Sequence, residues 1–432
     1  MKPYLLVAMM FCLVVSAYAE PVGLTNYLPD DQPIISGRAA VYTPVLRSEQ
    51  MQKDFTDEQR EGWVLADSLN FEAYLAVGDY LGVQFSGNAI ASVYNLYGQI
   101  MPEAEEALAK SPKWLRPALQ NTFQQLEPDT QVALATEINN SFDPYIDEIA
   151  YAIAHSSPEF LNSEFCHPEL FTLNSMLIYI NDMSLDYVEI VDYGTSATDE
   201  NYYSTAKYWK IDANGDLVQF EIPQEIYYMY VVHPKNTDEI SAFIDPDIIE
   251  SNTTHQNNIA LPTAGGKFWR EFLFSMADTG YPVLQQELSG VTVFWDETGT
   301  SSDDAIHKIT NWINDSMEFT SNSERPHQPV RIYRKHIGRC GEHADLTSAA
   351  TRSALIPCTS ILSYSGDHTW NEFWDEEWLQ WEPVNGYYNN PLVYENGWGK
   401  VFGSVFEIRS DGLLTPVTER YSEGIATITI YA

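Results

Sequence analysis

Apolar residues recur at helical spacing in two stretches of the chain. They are Ile146, Ile149, Ala150 and Ile153 in the first stretch, and Ile306, Ile309, Ile313 and Met317 in the second. An apolar residue at every third or fourth position lines one face of an amphipathic helix. The first stretch belongs to a helical region that we predict over residues 61–165. The second predicts a helix that runs into a polar loop before Cys340.

Strand-like patterns begin near residue 166 and continue to about residue 235. The runs YWKI and LVQFEI flank the turn-forming residues 212–216, an order that is typical of a β-hairpin. The apolar, aromatic run EIYYMYVV at 225–232 predicts one more strand. From residue 267 onward helices alternate with strands, so we expect an α+β fold.

The N terminus carries the pattern of a secretory signal peptide. Lys2 precedes an apolar run from Leu5 to Val15, and the small-residue sequence AYA follows at 17–19. We therefore expect cleavage after residue 19 and a secreted or periplasmic protein. No later stretch reaches the roughly 18 apolar residues that a membrane span requires, so none is predicted.

These patterns divide the remaining chain into four parts. Residues 20–60 are predicted as an irregular segment, 61–165 as the helical region, 166–260 as a strand-rich region and 261–432 as a C-terminal α+β domain. This length is sufficient for more than one domain with its own core.

Composition narrows the classes of partner. The formal net charge is −38, which repels nucleic-acid phosphates and anionic lipid, so we predict neither as a partner. Aromatic residues make up 13% of the chain and charged residues 19%, as in a globular protein. Outside the signal peptide the cysteines are Cys166, Cys340 and Cys358, too few for a disulfide scaffold.

Cys340 lies at the start of a predicted helix, in the sequence IGRCGEHADL. The following residues are rich in Ala, Ser and Thr and contain no proline, which fits a helix packed closely against a sheet. A thiol on the first turn of a helix feels the positive end of the helix dipole, which favours the thiolate. Cys340 is therefore a candidate nucleophile, provided that a base lies nearby.

His368 and Glu382 are candidate partners of this thiol. They lie in SGDHTWNEFWDEEWLQWEPVNG, where two aromatic-rich runs flank an acidic turn. An antiparallel hairpin centred near Asp375 would bring His368 and Glu382 opposite each other on one face of the sheet. A thiolate, an imidazole and a carboxylate that orients the imidazole together perform acyl transfer through a thioester.

Other roles for these residues remain open at this point. Cys340 and His343 have the spacing of two zinc ligands, which His336 and His368 could complete. A disulfide between Cys340 and Cys358 would block the thiol, and an aromatic hairpin can also carry a histidine without catalytic function.

The motifs GRCGEHA, HTWNEFW and WLQWEPVNG together resemble those of the transglutaminase-like cysteine enzymes, which share a papain-like core of a helix packed on an antiparallel sheet. Their pattern is most similar to that of the catalytic core of the peptide N-glycanases. Two later segments support this resemblance, NPLVYENGWGK at 390–400 and DGLLTPVTERY at 411–421. The resemblance covers about residues 300–425.

The resemblance implies a role for each matching residue. Cys340 corresponds to the nucleophile, His368 to the general base and acid, and Glu382 to a residue that is usually aspartate. Trp312 is the upstream candidate for an oxyanion donor, and Arg339 and Trp370 are candidates for the substrate cleft. The paired Cys-x-x-Cys zinc ligands of the glycanases are absent from this sequence, and we predict neither a metal nor another cofactor.

We therefore expect an exported cysteine enzyme that cleaves or transfers an amide acyl group through a thioester, as a peptidase or an amidase. Its substrate would be a peptide, a protein or a glycoprotein. The alternatives are a deglycosylating amidase like the peptide N-glycanases, a protein-crosslinking transglutaminase, and an inactive surface protein that binds peptide or glycan.

Overall fold

The structure is a computed structural model that describes residues 100–251, 256–399, 402 and 404–422, and the backbone of four strands nearer the N terminus. Residues 1–99 and 428–432 form one compact unit, and residues 100–427 form a second. In the first unit, β1 (Ile34–Ile35) pairs with β2 (Ala73–Tyr74), and β3 (Leu81–Ser86) pairs with β4 (Ala89–Asn95), both antiparallel. The predicted signal peptide at 1–19 lies outside the described residues.

The prediction of helices over 61–165 is wrong for the part that contains β3 and β4. Apolar Leu81, Val83 and Phe85 alternate with smaller or polar residues, and Gly87-Asn88 separates the two runs. This alternation has the period of a strand, and a Gly-Asn pair favours a tight hairpin connection.

Helices begin at residue 102 in the second unit. The first six are α1 (Pro102–Lys110), α2 (Arg116–Gln124), α3 (Pro128–Asn140), α4 (Ile146–Ala154), α5 (Pro158–Leu161) and α6 (Glu169–Asp182). Proline at the first position of α1 and α3 has no N–H to leave unpaired there. The apolar face predicted from Ile146 to Ile153 is confirmed, because its four members are buried in α4.

A three-stranded antiparallel sheet follows, in the order β5 (Val188–Tyr193), β6 (Tyr203–Ile211) and β7 (Leu217–Glu221). The strand-rich region predicted over 166–260 is wrong at its start, where α6 forms and buries Leu170, Leu177 and Ile178 at helical spacing. The hairpin predicted around 212–216 is confirmed, since Ile211 pairs with Leu217 across that turn. The strand predicted from EIYYMYVV is wrong, because this run forms the helical turn α7 (Gln224–Tyr227) and a π-helix (Tyr228–Val232). A short run that is apolar on every side fits a buried helix as well as a strand.

The C-terminal part contains a six-stranded antiparallel sheet and the helices packed against it. Its helices are α8 (Trp269–Ser275), α9 (Leu284–Glu287), α10 (Ala305–Ser316), α11 (Pro329–Lys335), α12 (Cys340–Ser353) and α13 (Val393–Trp398). A short parallel pair, β8 (Glu318–Phe319) and β9 (Ile337–Gly338), precedes α12.

The strands of this sheet are β10 (Cys358–Ser363), β11 (His368–Asp375), β12 (Glu377–Glu382), β13 (Tyr387–Tyr388), β14 (Val405–Ile408) and β15 (Leu414–Pro416). They lie in the order β13-β12-β11-β10-β14-β15, with α12 against β10 and β11. The predicted α+β fold with a helix on an antiparallel sheet is confirmed.

One buried core runs through the second unit, from Ala104 in α1 to Trp381 in β12. It draws on residues of all three regions predicted over 61–432, and residues 100–427 are accordingly one compact unit. Among the described residues, no helix is both long enough and apolar enough to cross a membrane.

Candidate active site

Cys340 is the first residue of α12, and the residues around it fix where that helix begins. The Glu342 carboxylate accepts the Arg339 backbone N–H at 2.9 Å and pairs with the Arg325 guanidinium. Burial raises the pKa of Glu342, but the bonds from Arg325 and Arg339 outweigh burial, so the pKa lies below its ordinary value. Gly338 permits this arrangement, since a Cβ there would lie 2.5 Å from the Cβ of Glu342.

The Cys340 thiol lies beside the imidazole of His368, close enough for each group to change the pKa of the other. Burial alone raises the pKa of the thiol. The neighbouring imidazolium of His368 and the backbone N–H groups of Thr369 and Gly341 have the larger combined effect and lower this pKa below its ordinary value. A thiolate beside an imidazolium is therefore favoured in this site.

His368 is the first residue of β11, and its side chain is 7% exposed. Burial lowers the pKa of its imidazole, but the adjacent Cys340 thiolate and Glu382 carboxylate raise it to about 9. The rings of Trp370, Tyr394 and Trp398 surround the imidazole at centroid distances of 5.5, 5.3 and 4.8 Å. These aromatic rings restrict the orientation of the imidazole.

Glu382 approaches His368 diagonally across the hairpin. Asp375 pairs with Glu377, so the centre of the hairpin is Glu376 and not Asp375 as predicted. Continuing this register puts Glu382 opposite Trp370, not opposite His368. The predicted shared face is nevertheless retained, because a shift of the hairpin centre by one residue moves each partner by two.

The longer side chain of glutamate suits this diagonal. Diagonal neighbours on a sheet are farther apart than directly opposed ones, and the Oε1 atom of Glu382 still reaches 3.1 Å from the Nε2 atom of His368. The N–H of this nitrogen is not directed along the line to the carboxylate, so the contact is an ion pair without a linear hydrogen bond.

Two further residues hold the Glu382 carboxylate. Asn385 donates to Oε1 at 2.7 Å, and the hydroxyl of Tyr394 donates to Oε2 at 2.7 Å. Gln380 in turn donates to the Tyr394 hydroxyl at 2.8 Å. Sequence reasoning missed Asn385 and Tyr394, although both lie in the quoted motifs WLQWEPVNG and NPLVYENGWGK.

Asn371 connects the strand of His368 to the helix of Cys340. Its side-chain amide donates to the Ala344 carbonyl at 2.9 Å and to the Thr359 carbonyl at 3.3 Å. Asn371 is 1% exposed, so its amide makes these bonds away from water, and Ser360 Oγ donates to the same Ala344 carbonyl at 3.4 Å. The amide fixes the separation between α12 and β11, on which the contact between thiol and imidazole depends.

The motif DGLLTPVTERY at 411–421 contacts β11 through its last two residues, Arg420 and Tyr421. The Tyr421 hydroxyl donates to Glu372 Oε1 at 2.5 Å, and Arg420 pairs with the other oxygen of Glu372. Tyr421 also packs against Trp370, at a ring distance of 4.7 Å. This motif supports the sheet, and none of its residues lines the cavity at Cys340.

The three other predicted site residues have different surroundings. Trp312 is 1% exposed and its single N–H donates to the Pro282 carbonyl at 2.9 Å, so the predicted oxyanion role does not fit. Arg339 is exposed and bonds to Ser321, away from the cavity at Cys340. Trp370 lines that cavity and stacks on His368. The catalytic roles of Cys340, His368 and Glu382 stay predictions.

The alternative zinc and disulfide arrangements are not formed. His336 bonds to the Ser316 carbonyl at 2.8 Å and to Asp278 at 2.9 Å, so it does not join Cys340. In the described parts of the chain, no three metal-ligating side chains converge. Cys166, Cys340 and Cys358 are all free.

Two cavities lie at opposite ends of the β11–β12 hairpin. The cavity at Cys340 has about 10 Å³ of free space and is lined in part by Phe319, His343 and Thr347. The other has about 690 Å³ and adjoins Lys210, where the hairpin turns.

A family model described as the transglutaminase-like superfamily matches residues 294–385. This segment includes α10, α12, the β11–β12 hairpin and the residues Cys340, His368 and Glu382. The chain carries a transglutaminase-like domain, and the resemblance predicted from the motifs is confirmed.

Similar sequences among curated proteins are named peptide-N(4)-(N-acetyl-beta-glucosaminyl)asparagine amidases. The protein of Oryza sativa subsp. japonica is 35% identical over 97 residues, which are 22% of this chain and 22% of the relative. The protein of Arabidopsis thaliana is 31% identical over 107 residues, 24% of this chain and 15% of the relative. The Homo sapiens protein is 28% identical over 147 residues, 32% of this chain and 22% of the relative.

The chain thus spans between 15% and 22% of the length of these three relatives. The predicted similarity to peptide N-glycanases is confirmed for this part. The similarity supports an enzyme of the cysteine amidase type.

Proposed function

We propose that this protein is an exported cysteine-dependent amidase that hydrolyses the amide linking a glycan to an asparagine side chain. The observation that carries the proposal is the chain of contacts from Cys340 through His368 to Glu382. The similarity to proteins named as amidases of glycosylated asparagine supports the choice of substrate.

In the proposed first step, the Cys340 thiolate attacks the side-chain carbonyl carbon of the substrate asparagine. The carbonyl π electrons move onto oxygen, and the positive end of α12 favours this developing charge. His368 transfers its proton to the amide nitrogen as the C–N bond breaks. The glycosylamine leaves, and an acyl thioester remains on Cys340.

In the second step, water hydrolyses the thioester. His368, now neutral, accepts a proton from water while the oxygen attacks the thioester carbonyl. The C–S bond breaks, an aspartate side chain forms, and the thiolate beside an imidazolium is restored. Glu382 stabilises the imidazolium form of His368 in each cycle.

Export is proposed on the signal pattern at 1–19 alone. Mass spectrometry of the protein from the culture medium or the periplasm tests it, with a new N terminus near residue 20 as the expected result. A full-length protein confined to the cytosol would contradict it.

The decisive experiment treats a denatured glycopeptide with the purified protein. We expect release of the intact glycan and conversion of the asparagine to aspartate, both lost in Cys340→Ala. Cys166→Ala is the matched control and should keep the activity, because Cys166 lies outside the site.

Three other outcomes would reject the proposal. Cleavage of the peptide backbone with the glycan still attached indicates a peptidase, and incorporation of an added amine with the glycan intact indicates a transglutaminase. Binding of glycopeptide without any chemical change, equally in Cys340→Ala, indicates a binding protein.

A further inference from the structure

His343 faces the same cavity as Cys340, one turn further along α12. Residues three apart on a helix lie on neighbouring positions of one face, and both side chains line this cavity. His343 is 4% exposed, and the exposed ring of Phe319 lies 5.5 Å from its imidazole. The proposed chemistry has no task for this buried histidine.

The polar atoms of His343 lack partners. Among the described residues, neither ring nitrogen of His343 has a hydrogen-bond partner, and the same holds for the hydroxyl of Thr347 one turn further on. The Glu318 backbone carbonyl lies beside the imidazole but outside the geometry of a hydrogen bond. Buried polar groups are normally bonded, so these atoms indicate a group that arrives with the substrate.

The imidazole of His343 can both donate and accept one hydrogen bond. Burial lowers its pKa to about 4, so the ring is neutral at neutral pH. A neutral imidazole offers one N–H and one bare nitrogen, and the Thr347 hydroxyl can also donate or accept. An amide group, with its N–H and carbonyl, complements such a pair.

The distance along the helix fits one such group beside the attacked carbonyl. The free space of about 10 Å³ admits one water-sized atom, such as one polar atom of that amide. His343 lies about 4.5 Å beyond Cys340 along the helix axis, given a rise of 1.5 Å per residue. In a peptide, the backbone amides flank an asparagine side-chain carbonyl at a similar separation.

We propose that His343 and Thr347 form a subsite for one uncharged amide group of the substrate, next to the carbonyl that Cys340 attacks. In a glycopeptide, this group is a backbone amide flanking the glycosylated asparagine. The subsite rests on the proposed function, because its position is defined relative to a thiol that attacks an amide carbonyl.

The test uses two alkylating probes, N-chloroacetylglycine N-methylamide and N-chloroacetylglycine methyl ester, which differ in one amide N–H. The Cys340 thiolate displaces chloride from either probe and forms a thioether, so no turnover is needed. We expect the wild type to react roughly tenfold faster with the amide, as for one unsatisfied buried donor or acceptor. Cys340→Ala gives the background from the other cysteines.

Four variants show whether His343 and Thr347 cause this preference. His343→Phe should abolish the preference, His343→Gln should keep part of it, and Thr347→Val should reduce it. Thr351→Val is the matched control, on the same helix but outside the cavity, and should keep it. Rates with iodoacetamide, which lacks the second amide, should be equal in all four variants and the wild type.

The subsite is overturned if the wild type does not distinguish the probes, or if both His343→Phe and Thr347→Val keep the preference. If His343→Phe also slows the reaction of Cys340 with iodoacetamide, the preference measured in Thr347→Val decides between the outcomes, because this variant removes a hydroxyl at nearly constant volume. A preference that depends on His343 without glycan release would reject the proposed function alone. Glycan release by a wild type without such a preference would reject the subsite alone.

Discussion

At the scale of single residues, the Cys340 sulfur is subject to opposing influences. Burial favours the neutral thiol, whereas the imidazole of His368 favours the thiolate and prevails. We expect wild-type Cys340 to be alkylated by iodoacetamide at pH values well below the ordinary thiol pKa. His368→Ala leaves burial without compensation, so alkylation near pH 7 should fall by about tenfold for each unit by which the thiol pKa rises.

The rate of iodoacetamide alkylation against pH provides the measurement, with Cys340→Ala as the blank. A wild-type rate equal to that of a model thiol, unchanged in His368→Ala, would show that the two side chains are not coupled. The charge of the imidazolium should also matter at alkaline pH. Because the His368 pKa is raised to about 9, its stabilising charge is present at neutral pH and is lost as the pH rises through that value.

The diagonal between His368 and Glu382 predicts that aspartate is the poorer residue here. Glu382→Asp shortens the side chain by one methylene, so the carboxylate should lose its contact with the imidazole. We expect a loss of turnover by roughly 10- to 100-fold, the range for a bond between charged groups. The alkaline limb of the rate profile should move toward the ordinary histidine pKa.

Glu287→Asp makes the same shortening at an exposed glutamate in α9, and its effect on the alkaline limb should be small. Full activity of Glu382→Asp would contradict the diagonal, since aspartate can reach only a directly opposed histidine. Kinetics across pH with the same glycopeptide would separate these outcomes.

The residues of the site were predictable to different degrees. Cys340, His368 and Glu382 stand in motifs whose residue types suggest their chemistry. Tyr394 and Asn385 contact Glu382 from segments beyond the hairpin, and sequence spacing does not show which oxygen a distant hydroxyl or amide reaches. Trp312 has the residue type of an oxyanion donor, but a tertiary contact with Pro282 uses its N–H.

At the scale of elements, α12 and β11 are held at a fixed separation by Asn371. Asn371→Ala removes two buried hydrogen bonds, to the carbonyls of Ala344 and Thr359, so we expect a loss of about 1–3 kcal/mol in the free energy of unfolding. Urea unfolding at neutral pH measures this change. Asn201→Ala, at an exposed asparagine, is the control and should change stability by less than about 0.5 kcal/mol.

A second readout separates stability from geometry. The alkylation rate of Cys340 in Asn371→Ala should fall in the folded protein as well, because the thiol and the imidazole are no longer held at one distance. Unchanged alkylation with lowered stability would limit Asn371 to a structural role.

The β11–β12 hairpin was predicted in outline from the sequence. Two aromatic-rich runs on either side of an acidic turn predicted two antiparallel strands, and both strands form. The register differed by one position at its centre because Glu376 adopts a positive φ of 60°, which allows a tighter turn than the sequence indicated. The prediction of a strand for EIYYMYVV was wrong for another reason. A segment that is buried on all sides has no periodicity that separates a strand from a helix.

At the scale of the whole molecule, buried carboxyl groups link stability to pH. Burial raises the pKa of Asp147 to about 6, against the opposing bond from Tyr228, and it also raises the pKa of Glu148. Their neutral forms therefore stabilise the folded state at acidic pH, and this contribution is lost as the pH rises from the ordinary carboxyl pKa to the folded-state pKa. We expect the free energy of unfolding to fall by about 1–3 kcal/mol between roughly pH 4 and pH 6.

Asp147→Asn should flatten this dependence, because the variant has no proton to lose at that position. Asp216→Asn, at an exposed aspartate, is the control and should retain the wild-type slope. Denaturant unfolding at several pH values gives the slope directly. A wild-type stability that rises with pH across this interval would contradict the argument.

Lys210 joins the three-stranded sheet to the turn of the β11–β12 hairpin. Its Nζ atom lies 2.6 Å from Glu297, 2.7 Å from Asp375 and 2.8 Å from Glu376. Lys210→Met should cost about 3–5 kcal/mol of stability, because it leaves these carboxylates without a buried counter-charge. Thermal unfolding of Lys210→Met measures this loss of stability. Lys207→Met is the control, because the ammonium of Lys207 is more exposed. Equal small effects of the two substitutions would contradict the prediction.

The position of Lys210 in the chain bears on whether the segment 294–385 can fold as a separate fragment. All three of its carboxylate partners lie within residues 294–385, whereas the lysine itself lies far upstream of that segment. An excised fragment with those boundaries would keep Cys340, His368 and Glu382 but would lack the cation that neutralises its hairpin turn. We therefore expect the fragment 294–385 to be less stable alone than within the whole chain, because its hairpin turn is neutralised by a lysine of the upstream sheet.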